Sequence, residues 1–262
     1  MTHPVEIRFM PASDADLTAR KGRLALLIGD QGQTPRGLPP ALRRGLARAL
    51  ESKAWADVKP GGAMELAFPA GIAADAVQLV RLPRKADAAT ARKAGAAIGA
   101  RMGKGEVTVV APAHDRIAEV ALGIALKGYD FSVYKSRPGD HAEDEAAEDV
   151  PVTAPQAVSH SGAMPDARLA DSAGAETVPE PDKAAADAPS EPPQPDKASV
   201  TILCPDPEAV ARAAGDGAAL AEGVFFTRDL VNEPANVLTT SDFADRLLAM
   251  QELGLEVEVL DE

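Results

Sequence analysis

An α/β fold is the class that this 262-residue sequence predicts. Apolar runs of strand length lie at Leu24–Ile28, Val77–Leu82 and Val107–Ala111, and glycine, proline or charged residues border them. Stretches with helical periodicity separate these runs. Because alternating helices and strands stack as layers around one core, we interpret residues 1–135 as a single α/β domain.

The helical stretches are identified by the spacing of their apolar residues. In the first, Leu42, Leu46 and Leu50 recur every four residues after a Pro-Pro pair. The second is the alanine-rich segment 88–102, with Ala94 and Ile98 on one face. The third spans residues 117–125 and has Gly128 where a helix C-cap is expected. A further short strand is predicted from Phe131, Val133 and Tyr134.

The composition changes sharply between residues 136 and 198. This segment holds 14 Asp or Glu against 4 Lys or Arg, 10 of the 22 prolines, no aromatic residue and a single leucine, Leu169. A segment this polar buries too little apolar surface to offset the entropy lost on ordering. The sequence therefore predicts a disordered acidic, Pro/Ala-rich insertion at 136–198.

The net charge indicates which binding partners are disfavoured, and the cysteine content indicates the redox state of the expected compartment. The formal net charge is −13, which disfavours nucleic acid and anionic membranes as partners, although the insertion carries most of it. Cys204 is the single cysteine, so no internal disulfide is possible and a reducing compartment is expected. The sequence begins without a signal-peptide pattern, and its apolar runs are far shorter than the roughly 20 residues of a membrane-spanning helix. A cytoplasmic protein is the expectation.

Residues 199–262 predict a strand, a long helix and the opening of a second α/β unit. Val200–Leu203 is strand-like. A helix is expected to start after Pro207 and to end at the Asn-Glu-Pro sequence at 232–234, because proline disfavours helical geometry in the residue before it. A new helix is expected after a Thr240 or Ser241 cap, closed by Gly254. On the long helix, the stripe expected to be buried consists of Leu220, Val224, Thr227 and Val231. A strand is expected after Gly254, because Leu255, Val257 and Val259 alternate with charged residues.

Candidate chemical groups were assessed one by one. His114 is predicted to lie in a turn before a helix, and Cys204 to be a small buried hydrophobic residue. Residues 99–105 lack the spacing and the Ser or Thr of a phosphate loop, so a helix-ending turn is predicted. Glu65, Asp75 and Asp87 are scattered and are interpreted as solvated surface carboxylates. The sequence analysis therefore assigns no catalytic, cofactor-binding or metal-binding residue.

Two stretches carry a resemblance to a known family. Residues 228–239, RDLVNEPANVLT, resemble the segment that joins the two domains of leucyl aminopeptidases of peptidase family M17. Residues 123–135, GIALKGYDFSVYK, are similar to the end of that family's N-terminal domain, and Gly71-Ile72-Ala73 is a weaker third similarity. Together they lie on both sides of the insertion.

The resemblance implies a macrodomain-like N-terminal domain with a mixed sheet between helices at 1–135, and a linker helix with the beginning of the catalytic domain at 199–262. It implies that the complete enzyme is a hexamer with two divalent metals, manganese, zinc or magnesium, that polarise the scissile carbonyl and activate a water. The family's metal-ligand signature, Asn-Thr-Asp-Ala-Glu-Gly-Arg, does not occur in this sequence. Asn232, Pro234 and Asn236 are interpreted as structural.

Three hypotheses follow. In the first, the chain is the N-terminal, non-catalytic portion of a leucyl aminopeptidase, inactive alone and completed by a catalytic half. In the second, it is a stand-alone macrodomain-like binding module. In the third, it is a regulatory subunit that docks on a complete aminopeptidase through residues 199–262.

Overall fold

The computed structural model describes residues 2–12, 16–35, 38–103, 105–134 and 198–260. Of the insertion predicted at 136–198, only Ala198 lies within these ranges. The disorder of that insertion therefore remains a prediction from composition.

A mixed sheet of six strands forms the centre of the fold, in the order β1-β6-β5-β2-β4-β3. All neighbouring strands are parallel except β3, which pairs antiparallel with β4 at one edge. The strand bounds are β1 Glu6–Pro11, β2 Arg23–Ile28, β3 Ala63–Ala67, β4 Ala76–Arg81, β5 Glu106–Val110 and β6 Ser199–Cys204. Because β6 lies between β1 and β5, the strand after the insertion is a central part of this sheet.

Helices cover both faces of the sheet. One face packs against α1 and α2, with Leu42, Leu46 and Trp55 in its core. The other packs against α3 and α4, with Ala94 and Ile124 in its core. The helix bounds are α1 Pro40–Leu50, α2 Lys53–Ala56, α3 Ala88–Gly99, α4 Ile117–Lys127, α5 Pro207–Asn232 and α6 Thr240–Leu248, followed by a short 3-10 helix at Ala249–Leu253. The predicted α/β layering is confirmed.

The apolar runs of the sequence correspond to β2, β4 and β5, and the helical stretches to α1, α3 and α4. Gly128 is the C-cap of α4, as predicted. The strand expected at Phe131–Tyr134 is wrong, because these residues form a turn and no strand. The sheet position next to β5 is taken instead by β6.

The apolar stripe expected on α5 is also wrong. Leu220 and Val231 are exposed, whereas the buried residues of this helix are Ala221, Phe225 and Asp229. The buried stripe thus keeps the four-residue spacing but lies on a different face. The third residue of this stripe is Asp229, and a prediction based on apolar residues alone does not include a carboxylate.

After α5 the chain forms α6, which begins one residue earlier than expected. Thr239 is the N-cap, and its hydroxyl and the Asp242 carboxylate form a capping box. Gly254 ends the following 3-10 helix in the left-handed conformation, with φ of 86°, as predicted. Residues 255–260 belong to no sheet, contrary to the strand expected there, and the described residues pair no other strand with them.

Glu65 on β3 was predicted to be a solvated surface carboxylate, but the structure places it in two ion pairs. Its carboxylate lies 3.0 Å from Arg23 Nη1 on β2 and 2.7 Å from Arg101 Nη1 after α3. Burial alone raises the pKa of Glu65, but the two guanidinium groups outweigh it, so the pKa lies below its ordinary value. The carboxylate therefore joins the edge strand to two other elements.

Replacing Glu65 with glutamine is expected to lower the free energy of unfolding by about 1 kcal/mol at neutral pH, because both ion pairs are lost. The native pKa of Glu65 is depressed, so its contribution is present above the unfolded-state pKa and declines as pH falls through the native value. Urea unfolding of both proteins at neutral and acidic pH tests this. A difference that does not shrink in acid would contradict the assignment.

Candidate functional site

The most connected polar cluster of the described residues lies where α5 ends. We call it the junction cluster, and it consists of Thr2, Tyr129, Arg228, Asp229 and Asn232. Three of these residues come from the RDLVN stretch. The other two come from the chain's first residues and from the loop after α4, so the cluster joins three distant parts of the sequence.

Asp229 is the centre of this cluster and is only 2% exposed. Its carboxylate accepts hydrogen bonds from the Thr2 backbone N–H and hydroxyl, each at 2.6 Å, and from the Tyr129 hydroxyl at 3.0 Å. Burial raises the pKa of Asp229, but these hydrogen bonds lower it by more, so the pKa lies below its usual value. The group is therefore a charged, hydrogen-bonded anchor at neutral pH.

Tyr129 connects α4 to α5. Its hydroxyl donates to Asp229 and accepts from Asn232 Nδ2 at 2.9 Å, which uses both hydrogen-bonding capacities of the group. Its ring stacks on Phe225 with centroids 5.1 Å apart, and the Arg228 guanidinium lies 5.3 Å from its centroid. Arg228 Nη1 also donates to the Leu126 carbonyl at 2.9 Å, near the end of α4.

The chain leaves α5 along a path set by local geometry. Glu233, which precedes Pro234, is extended with φ of −63° and ψ of 132°, so the helix stops at Asn232 as predicted. The Pro234 carbonyl accepts from the N–H groups of Val237 and Leu238, closing a turn that leads into α6. Arg246 Nη1 on α6 lies 3.7 Å from the Glu233 carboxylate, which ties α6 back to this turn.

The junction cluster is built for positioning. Every polar side chain in it is engaged by another part of the fold, and the arrangement ties the end of α5 to the first residues of the chain and to the end of α4. Sequence analysis assigned structural roles to Asn232, Pro234 and Asn236 and did not identify the buried Asp229. The one hint in the sequence was the position of Asp229. It lies four residues after Phe225, which is the spacing of residues on one buried face of a helix.

His114 and Cys204 both line a cleft of about 600 Å³ at the carboxyl ends of β5 and β6. His114 lies in the loop before α4, as predicted, where its Nδ1 accepts from the Arg116 N–H and its Nε2 lies 3.0 Å from the Pro83 carbonyl. Cys204 is fully buried, and its burial together with the charge of Asp206 raises the pKa of the thiol. A buried, protonated thiol is a weak nucleophile, so Cys204 contributes to structure.

The remaining candidates of the sequence analysis lie apart from each other. Asp87 is the N-cap of α3, where its carboxylate accepts from the Thr90 N–H. Asp75 is exposed beside the first residue of β4. Residues 99–103 form the turn that ends α3, and Lys104 lies outside the described residues. No set of three or more His, Cys, Asp or Glu side chains that could hold a metal ion occurs in the described part of the chain.

Within the described ranges, no helix combines the length and the apolar character that crossing a membrane requires.

The six-stranded mixed sheet between helices matches the fold of an N-terminal domain of leucine aminopeptidase. A variant of tomato leucine aminopeptidase has this fold, with a TM-score of 0.54 over 97% of this chain and 43% of that chain, at 16% identity. No family model matches the chain.

Sequence relatives of this chain are longer curated proteins. The chain is 43% identical to the probable cytosol aminopeptidase of Cereibacter sphaeroides and 37% identical to that of Dinoroseobacter shibae. Each match covers 100% of this chain and 43% of the relative, so the chain spans less than half the length of these proteins. The chain is thus similar over its whole length to the N-terminal portion of proteins named cytosol aminopeptidases, which favours the first of the three hypotheses over the stand-alone module and the regulatory subunit.

Proposed function

We propose that this chain is the non-catalytic N-terminal portion of a cytoplasmic, dinuclear-metal leucyl aminopeptidase that removes N-terminal amino acids from peptides. In this proposal residues 1–135 with β6 form a scaffold, the segment 136–198 is a disordered insertion, and α5 links the scaffold to the catalytic portion. The two metals, manganese, zinc or magnesium, are proposed to be held by that other portion, because the family's metal-ligand signature, Asn-Thr-Asp-Ala-Glu-Gly-Arg, does not occur in this sequence. The complete enzyme is proposed to be a hexamer.

The observation that carries this proposal is the exposed apolar surface after α5. Helix α6 carries apolar residues at Phe243, Leu247 and Leu248 among polar ones but buries none of them. Phe243, Leu253 and Leu260 are among the exposed side chains of residues 240–260. An amphipathic helix is stable in a protein when its apolar face is covered by another layer. We assign that layer to the part of the relatives that extends beyond the match with this chain.

The junction cluster gives the linker its role in the proposal. A catalytic portion docked on α6 is held at a fixed angle to the scaffold only if the end of α5 is rigid. The buried Asp229 and the stacked Tyr129 and Phe225 supply that rigidity. In this proposal the role of the chain is to hold the catalytic portion at a fixed position relative to the scaffold.

Aminopeptidase assays of the purified chain test the first part of the proposal. We expect no hydrolysis of leucine amide or leucine p-nitroanilide with added Mn²⁺, Zn²⁺ or Mg²⁺, because the chain holds none of the family's ligand segments. The full-length Cereibacter sphaeroides relative, assayed in parallel, is the control for the substrate and the metal. Metal-dependent turnover by this chain alone would contradict the proposal.

A further inference from the structure

A cleft of about 490 Å³ lies at the carboxyl ends of β2 and β4, and we call it the β2–β4 cleft. Ile28 and Arg81, the last residues of these parallel strands, are neighbours in the sheet. The chain continues from β2 to α1 on one face of the sheet, but from β4 to α3 on the other face. In open α/β sheets, ligands bind at the carboxyl ends of strands where neighbouring connections diverge in this way. The cleft therefore has the position of a ligand site.

Arg81 holds a guanidinium group in this cleft. Its central carbon lies 5.7 Å from the centroid of the Trp55 ring. Nη1 donates to the Val58 carbonyl at 2.7 Å and to the Ala56 carbonyl at 3.4 Å, which fixes the group against the end of α2. Nε and Nη2 donate to no other described residue. These two nitrogens form one edge of the guanidinium group, and such an edge binds a carboxylate through two parallel hydrogen bonds.

Two carboxylates line the same cleft, and neither forms an ion pair with Arg81. Asp30 accepts one hydrogen bond from the described part of the chain, from the Arg84 N–H to Oδ2 at 3.3 Å. Glu51 is exposed, and its carboxylate has no hydrogen-bond or ion-pair partner among the described residues. Opposite charges that line one cleft without meeting are suited to a ligand that carries both charges.

The position of Glu51 favours a cation beside it. Glu51 is the C-cap of α1, where the last carbonyl groups of the helix produce a partial negative charge. A carboxylate at this end of a helix is repelled by that charge, and a cation relieves the repulsion. Since no described side chain supplies the cation, an ammonium group of a ligand fits the site.

The remaining lining of the cleft is small or apolar. Ala47 and Leu50 of α1 and the buried Trp55 of α2 supply apolar side chains. A turn at residues 29–32 supplies backbone, and it is closed by the Gly32 N–H, which donates to the Gly29 carbonyl at 3.1 Å. This surface is suited to an apolar group of moderate size, with charged groups at its margin.

We propose that the β2–β4 cleft binds a free α-amino acid with an apolar side chain. Nε and Nη2 of Arg81 bind the carboxylate of the amino acid, and the carboxylates of Asp30 and Glu51 bind its ammonium group. The side chain of the amino acid lies against Leu50 and Trp55. All of these residues belong to the scaffold, so the site is independent of the catalytic portion and of the function proposed above.

The fluorescence of Trp55 measures this binding directly, because Trp55 is the single tryptophan of the chain and lines the cleft. Titration of the full chain with L-leucine is expected to give a saturable change with a Kd of roughly 1 mM, as for a small ligand with few contacts. Leucine amide lacks the carboxylate, and 4-methylpentanoate lacks the ammonium group. Each is expected to bind at least about 10-fold more weakly than leucine.

Two variants test the charged groups separately. Arg81→Gln is expected to weaken leucine binding by about 10- to 100-fold, but it also removes contacts with α2. Glu51→Gln changes an exposed side chain that holds no other described residue, so it tests the site with the fold intact, and a loss of about 10-fold is expected. Glu208→Gln, at an exposed carboxylate on α5, is the matched control and should bind leucine as the wild type does.

Three results would each overturn the inference. The first is the absence of a saturable change in Trp55 fluorescence at leucine concentrations roughly tenfold above the expected Kd. The second is binding of leucine amide or 4-methylpentanoate as tight as that of leucine. The third is a Glu51→Gln chain that binds leucine as tightly as the Glu208→Gln control.

Discussion

Replacing Gly123 with alanine is expected to lower the free energy of unfolding by about 3 kcal/mol, because α3 and α4 cross in backbone contact at this position. A β-carbon at Gly123 would lie 2.1 Å from the Arg92 carbonyl oxygen. The reciprocal contact is as close, since a β-carbon at Gly95 would lie 2.0 Å from the Val120 carbonyl oxygen. Neither clash is relieved by a side-chain rotation, so the helices must separate.

The matched control for this prediction is Gly45→Ala on α1. Gly45 is exposed, and a β-carbon there meets nothing within 4 Å. Because alanine is a better helix former than glycine, this substitution is expected to stabilise the chain by about 0.5–1 kcal/mol. Urea unfolding of the three proteins gives both values. A Gly123→Ala chain as stable as the wild type would contradict the close helix crossing.

Replacing Asp229 with alanine is expected to destabilise the chain by about 3 kcal/mol, because three donors lose their acceptor. The Thr2 N–H, the Thr2 hydroxyl and the Tyr129 hydroxyl all point at this carboxylate. The loss should be largest locally, so hydrogen exchange is expected to speed up at the end of α5 more than in β2 or β5.

Asp216→Ala is the matched control, because Asp216 is an exposed residue of the same helix. It should change the free energy of unfolding by no more than about 0.5 kcal/mol. The native pKa of Asp229 is lowered, so its contribution is present above the unfolded-state value of about 3.9 and is lost as pH falls through the native pKa. The difference between Asp229→Ala and wild type should therefore shrink in acid. An equal loss for both variants would contradict the role of Asp229 as an anchor.

The strands that were predicted correctly from the sequence are those in which nearly every residue is buried. Strands β2 and β4 read as apolar runs because parallel strands covered on both faces bury nearly every side chain. The edge strands β1 and β3 were missed, because neither contains a fully buried residue and charged residues such as Glu6, Arg8 and Glu65 interrupt the apolar pattern.

The junction cluster was predicted only in part, because its bonds join residues far apart in sequence. Asp229 meets Thr2 across 227 positions and Tyr129 across 100. The periodicity of apolar residues along the chain contains no information about such distant partners. A carboxylate on the buried face of a helix also breaks the apolar pattern by which that face is predicted. The end of α5 was predictable because the geometry before Pro234 is local.

The most direct test of the central claim is a chimera in which this chain replaces the matching portion of the Cereibacter sphaeroides aminopeptidase. If the chain is the positioning scaffold of such an enzyme, the chimera should hydrolyse leucine p-nitroanilide in the presence of divalent metal, and Asp229→Ala within it should reduce that turnover more than Asp216→Ala. A well-folded chimera without metal-dependent turnover would contradict the account.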